Sequence, residues 1–173
     1  MAQIKICGLK REIDVEASIT YGASWSGYIF YDKSIRNISL DQAKIFNSIA
    51  KNRIGKVAVF VNPSLNLIKN ATQTLKPDLI QLHGDETPQR CQKIYKMTGI
   101  RIIKAINLES ESDLVKYRKY IGNVFGFLFD SKLSKEKLEG RKGKSFDWKL
   151  LNDFNEDFDW ILAGGLNPGN VIN

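Results

Sequence analysis

The chain alternates two kinds of segment. Short runs rich in β-branched and aromatic residues occupy 4–7, 28–30, 57–61, 79–82, 102–106, 124–129 and 160–163. Polar turns follow them, and then stretches with helical periodicity. Neighbouring runs begin roughly 20 to 36 residues apart, which fits one strand–helix unit per repeat. Leu40, Ala43, Phe46 and Ile49 recur three apart and share one helix face. Ser39 stands ahead of them as an N-cap, with Gln42 three residues on as in a capping box. After Pro63, the residues Leu65, Leu67, Ile68, Ala71 and Leu75 keep a similar rhythm. Thr87-Pro88 reads as N-cap and first helical residue of the next helix. Lys76-Pro77 and Thr98-Gly99 read as stops.

A strand that is apolar throughout, such as 57–61, is buried on both faces, as in parallel sheets. Parallel strands alternating with helices leave two architectures, an open doubly wound sheet or a TIM (β/α)8 barrel. A dinucleotide-binding doubly wound sheet carries G-x-G-x-x-G after its first strand. Here that strand ends in Cys7-Gly8-Leu9-Lys10, which does not match. No linker or low-complexity stretch divides the chain, so residues 1–173 are expected to form one domain.

Composition narrows the function classes. The 173 residues are 43% hydrophobic and 26% charged, ordinary for a globular domain. No apolar run approaches the roughly 18 residues that span a membrane. The start, MAQIKICGLK, lacks the apolar core of a secretory signal. A cytoplasmic protein with no membrane partner is expected. Two cysteines, Cys7 and Cys91, and a lone histidine, His83, cannot build a Cys/His zinc site. Neither a metal nor a disulfide is expected. The net charge is +7, and the positive charge is spread along the chain with one concentration in 132–149, where Glu136, Glu139 and Asp147 interrupt the basic residues. That segment reads as a solvated loop or as one that attracts phosphate. No nucleic-acid-binding motif accompanies the charge, so no nucleic-acid partner is expected.

In a parallel barrel the chemistry sits where strands end at their C-terminal side. The residues delivered there are Cys7, then Ser34 and Arg36, then Gln81 and His83, then Asp130, and finally Gly164-Gly165. Each has a plain reading and a functional one. Cys7 is a small buried hydrophobe or a thiol that takes a proton from carbon. Asp130 is a helix N-cap or an acid–base group. Arg36 is a surface arginine or a fork for a carboxylate. His83 is a packed, hydrogen-bonded residue or a catalytic one. Gly164-Gly165 before Leu166-Asn167-Pro168 is a tight turn or an anion cradle at a helix start. Gly143-Lys144-Ser145 ends like a phosphate-binding P-loop. That motif needs glycine where Leu138 stands, and no strand runs directly into it.

Taken in order, these residues resemble phosphoribosylanthranilate isomerase. Lys5-Ile6-Cys7-Gly8 is similar to the opening motif of that family, FYDKSIRNI (30–38) to its F-x-x-x-S-P-R-x-V segment, and 57–62 to its third strand. DLIQLHGDE (78–86) is the most specific match. Phe129-Asp130-Ser131 resembles the sixth strand end, GRKGKSFDW (140–148) a glycine-rich loop, and LAGGLNPGNV (162–171) the seventh strand and helix start. The resemblance implies a TIM barrel. It also implies an Amadori rearrangement of N-(5-phosphoribosyl)anthranilate in tryptophan biosynthesis, without a cofactor. By the same implication Asp130 is the general acid, Cys7 the general base and Arg36 the holder of the anthranilate carboxylate. His83 supports them, and the backbone at Gly143, Gly164 and Gly165 holds the phosphate.

The chain departs from the family pattern in three places. Ile35 stands where proline is usual, which is expected to loosen the turn before Arg36. Arg141 and Lys142 replace glycine and a small hydroxyl residue. The chain also reaches Asn173 where the seventh helix begins, so an incomplete barrel of about seven strands is expected, without the eighth βα unit. Open edges on strands one and seven then invite self-association or a complementing partner fragment. The alternative function is an inactive remnant or half-barrel completed by such a fragment. Two further alternatives are a different phosphosugar enzyme and a nucleic-acid-binding module.

Overall fold

The computed structural model describes residues 2–108, 111–131, 158–167 and 169–171. Seven strands follow one another in the chain: β1 (Lys5–Cys7), β2 (Trp25–Phe30), β3 (Gly55–Phe60), β4 (Leu79–Leu82), β5 (Arg101–Leu108), β6 (Gly126–Ser131) and β7 (Asp159–Ala163). Four α-helices connect the first five: α1 (Glu12–Thr20), α2 (Leu40–Ala50), α3 (Leu65–Leu75) and α4 (Pro88–Thr98). A 3-10 helix, Glu111–Tyr120, stands between β5 and β6.

The strand order decides between the two architectures. All pairs are parallel, and the order in space, β1 to β7, is the order in sequence. A doubly wound sheet reverses direction at a switch point and puts helices on both faces. Here nothing reverses. Val15 of α1, Phe46 of α2, Ile68 of α3 and Ile94 of α4 pack with Tyr28, Phe60, Ile80 and Phe129 in one cluster between sheet and helices. The other sheet face carries a second cluster made by strands alone, Ile29, Val57, Val59, Leu79, Ile103, Ala105 and Leu128. A parallel sheet with its helices on one side rolls toward a barrel; here α1 to α4 all lie on one face, and the sheet is a curled seven-stranded one with β1 and β7 at its edges. The double burial read from the apolar run at 57–61 follows from these two clusters.

The caps follow the local chemistry. The Ser39 hydroxyl accepts from the Gln42 amide, and the Gln42 side chain accepts from Ser39 in return, a complete capping box. Thr87 caps α4 with Pro88 at its first position. Lys76 and Gly99 end α3 and α4 in the left-handed conformation. Helix α1 is less legible. Its N-cap, Arg11, makes no side-chain capping bond. Ile13 is 69% exposed while Val15 and Ser18 are buried, so no apolar stripe announces it.

Candidate active site

The C-terminal ends of β1, β4 and β6 bring three expected residues to the inner face. Side chains alternate across a strand. Cys7, at the end of β1, is half-buried against the inner cluster. Asp130, two residues after the inner Leu128, shares that face. It lies within β6, paired in register with Asn107 and Ala163, so the N-cap reading of Asp130 does not hold. The expected run 124–129 is shifted two residues along the chain.

Cys7 has a prepared neighbourhood. A Cβ on Gly27, its partner in β2, would lie 2.9 Å from the Cys7 Sγ and 3.2 Å from its Cα. Glycine there leaves room for the thiol. Gly8 has φ +83°, and a Cβ on it would sit 2.6 Å from the Arg36 Cδ. It thus lets the arginine pass close over the backbone, where an Arg36 guanidinium N–H donates to the Cys7 carbonyl at 3.4 Å. Among the described residues Arg36 forms no ion pair, and it is exposed. The turn before it is held despite Ile35, which is 90% exposed. The Ser34 hydroxyl accepts from the Arg36 amide (3.1 Å), and the Asn37 side-chain oxygen accepts from the Tyr31 amide (2.8 Å).

His83 touches Asp130. Its Nε2 lies 3.2 Å from the Asp130 Oδ2, with both side chains 27% exposed. The other ring nitrogen, Nδ1, is 2.8 Å from the Gln81 Nε2. A side-chain amide nitrogen only donates; in this orientation of the Gln81 amide Nδ1 accepts, which assigns the ring proton to Nε2, facing the Asp130 carboxyl group. His83 is therefore packed and hydrogen-bonded, and it contacts the candidate acid.

The seventh strand ends in Gly164 (φ +86°) and Gly165 (φ +69°), conformations that favour glycine. Asn167 then caps the next turn, its side-chain oxygen accepting from the Gly169 amide at 2.9 Å. Gly143, with Arg141, Lys142 and the rest of the basic loop, lies outside the described residues. A cavity of about 590 Å³ opens between the loops after β2 and β3, lined by Tyr31, Lys33, Asn37, Asn62 and Ser64. Neither Cys7 nor Asp130 lines it.

Sequence reading missed a pair beneath this site. Glu86 and Lys104 are both 2% exposed and lie 3.3 Å apart. The available signal was a lysine inside the apolar run 102–106.

The two thiols differ in environment. Cys91 is wholly buried on α4, and burial pushes its thiol up to about 11. The thiolate is the nucleophile. A thiol reagent at pH 8 is therefore expected to label one cysteine, Cys7, in the folded protein and two in denaturant. Peptide mapping that finds Cys91 labelled as fast as Cys7 contradicts this.

The model of the family described as N-(5'-phosphoribosyl)anthranilate (PRA) isomerase matches residues 4–173. An N-(5'-phosphoribosyl)anthranilate isomerase from Rhizobium meliloti (strain 1021) is 41% identical over 170 residues, covering 98% of this chain and 79% of that protein. The crystal structure of phosphoribosyl anthranilate isomerase from Thermotoga maritima superposes with a TM-score of 0.86 at 34% identity, covering 99% of this chain and 80% of that one. A second isomerase structure, TM-score 0.84 and 32% identical over 99% of this chain and 80% of its own, holds reduced 1-(o-carboxyphenylamino)-1-deoxyribulose 5-phosphate. With the family model matched from residue 4 to 173 and a relative 41% identical over 98% of this chain, the chain belongs to the N-(5'-phosphoribosyl)anthranilate isomerase family.

Proposed function

We propose that this chain catalyses the Amadori rearrangement of N-(5-phosphoribosyl)anthranilate to 1-(2-carboxyphenylamino)-1-deoxyribulose 5-phosphate, a step of tryptophan biosynthesis in the cytoplasm. Asp130 is the general acid. It gives a proton to the furanose ring oxygen as the C1–O bond breaks, and the anthranilate nitrogen lone pair completes an iminium. Cys7 is the general base and removes the proton from C2, which gives an enolamine. Loss of the C2 hydroxyl proton and protonation at C1 then give the ketone. C2 is oxidised from alcohol to ketone while C1 is reduced, so the reaction is an intramolecular oxidoreduction. Electrons balance within the substrate, and the chemistry needs no external cofactor.

The observation that carries this reading is that Cys7 and Asp130 both stand on the inner side of the sheet at the C-terminal ends of their strands. Two such groups are what proton transfer between neighbouring carbons requires. His83 donates to one oxygen of the Asp130 carboxyl group and keeps its orientation, leaving the other oxygen to carry the proton that Asp130 delivers. Arg36 takes the anthranilate carboxylate from its place beside Cys7, and the Gly164-Gly165 turn, with Gly143, takes the phosphate through backbone N–H groups.

Mixing the purified chain with the fluorescent anthranilate substrate tests the reading. Fluorescence is expected to change with enzyme concentration as the ketose forms. A trace identical to the enzyme-free control rejects the proposed activity.

A further inference from the structure

We infer that Glu86 and Lys104 form a buried clamp that holds the His83 ring against Asp130, which makes both of them positioning residues for the isomerisation. The inference rests on Asp130 acting as the acid.

A buried ion pair is a poor way to gain stability, because taking two charges out of water costs about as much as their attraction returns. What the pair binds is therefore informative. The Lys104 ammonium donates to the carbonyls of Leu82 (3.2 Å), Gly84 (2.6 Å) and Ala105 (3.0 Å). Glu86 accepts from the Gly84 amide (3.0 Å) and the Asn62 amide (2.8 Å). Between them the two charges grip both neighbours of His83.

The surrounding geometry leaves that turn little freedom. The Asn62 side-chain oxygen accepts from the Asp85 amide at 2.8 Å. A Cβ on Gly84 would meet the same oxygen at 2.5 Å. The His83 amide donates to the Phe60 carbonyl at 2.8 Å, and Gln81 fixes the ring from the other side. The Tyr120 hydroxyl donates to the Glu86 carbonyl at 3.0 Å and ties the clamp to the 3-10 helix. Lys104 alternates with the inner-facing Ile103 and Ala105, so it reaches the turn from the helix side. The clamp thus acts through His83 on a contact that is 3.2 Å long, where a small ring displacement breaks the bond.

His83 is the single histidine of the chain, so nitrogen NMR of protein labelled in histidine reports on this ring alone. The wild type is expected to show the tautomer protonated at Nε2. Glu86→Gln is expected to give averaged tautomers and to lower kcat by about 10- to 100-fold, with KM within about two-fold. Asn62→Gly suits the left-handed backbone at that position, where φ is +46°, and removes only the side-chain brace. It is expected to shift both readouts the same way by less. Wild-type kcat and a wild-type His83 spectrum in folded Glu86→Gln overturn the clamp. If that variant does not fold, the same result in Asn62→Gly does so. The NMR arm needs no turnover. An inactive wild type therefore rejects the isomerase reading while the tautomer still decides whether Glu86 positions His83.

Discussion

Cys7→Ser and Asp130→Asn are each expected to lower kcat by about 100- to 10,000-fold, the usual contribution of a proton-transfer group. The two variants change chemistry and little else. Serine keeps the size of Cys7 closely enough to sit beside Gly27, where the absence of a Cβ leaves room for the side chain. Its hydroxyl is far harder to deprotonate than a thiol, so base strength is lost while packing stays. Asparagine keeps an oxygen to accept from the His83 Nε2 and keeps the place of Asp130 in β6. It has no carboxyl proton to deliver to the ring oxygen. Circular dichroism on the assayed samples should give unfolding midpoints close to the wild type. Turnover near the wild-type rate in either variant removes that residue from the mechanism.

Lys104→Met should lower stability strongly, by about 3–5 kcal/mol. The replacement fits the volume but leaves the Glu86 carboxylate buried without a counter-charge, and it strips three carbonyls of their donor. Domains of this size are stable by only about 5–15 kcal/mol, so a substantial fraction of the total is at stake. Glu86→Gln should cost less, because Lys104 retains its carbonyls and glutamine can still accept from the Asn62 amide. Urea titration of the three proteins measures the order directly. A Lys104→Met midpoint equal to that of the wild type refutes it.

The fold was legible where local chemistry decides. Ser39 with Gln42 and Thr87 with Pro88 mark helix starts through side-chain hydrogen bonds made within one turn. Apolar runs mark the strands because both sheet faces are covered. The residues at the strand ends could be named, and the family followed from their order. Other features depend on partners remote in sequence. Helix α1 has a weak apolar face, and its Glu16 pairs with Arg53, 37 residues away in sequence. The burial of Glu86 and Lys104 arises only when β5 lies beside β4. The His83–Asp130 contact needs β4 and β6 brought to one face, so sequence could propose both residues without joining them. The basic loop around Gly143 falls outside the described residues.

The strictly sequential strand order has a consequence for how such a molecule is made. Each strand pairs with the unit just before it, so a growing polypeptide finds its docking partner already synthesised. Assembly can proceed from the amino end by successive short loop closures, each with a modest entropic cost. The chemistry is completed late by the same rule. Cys7 emerges first, and its counterpart arrives only with the sixth strand.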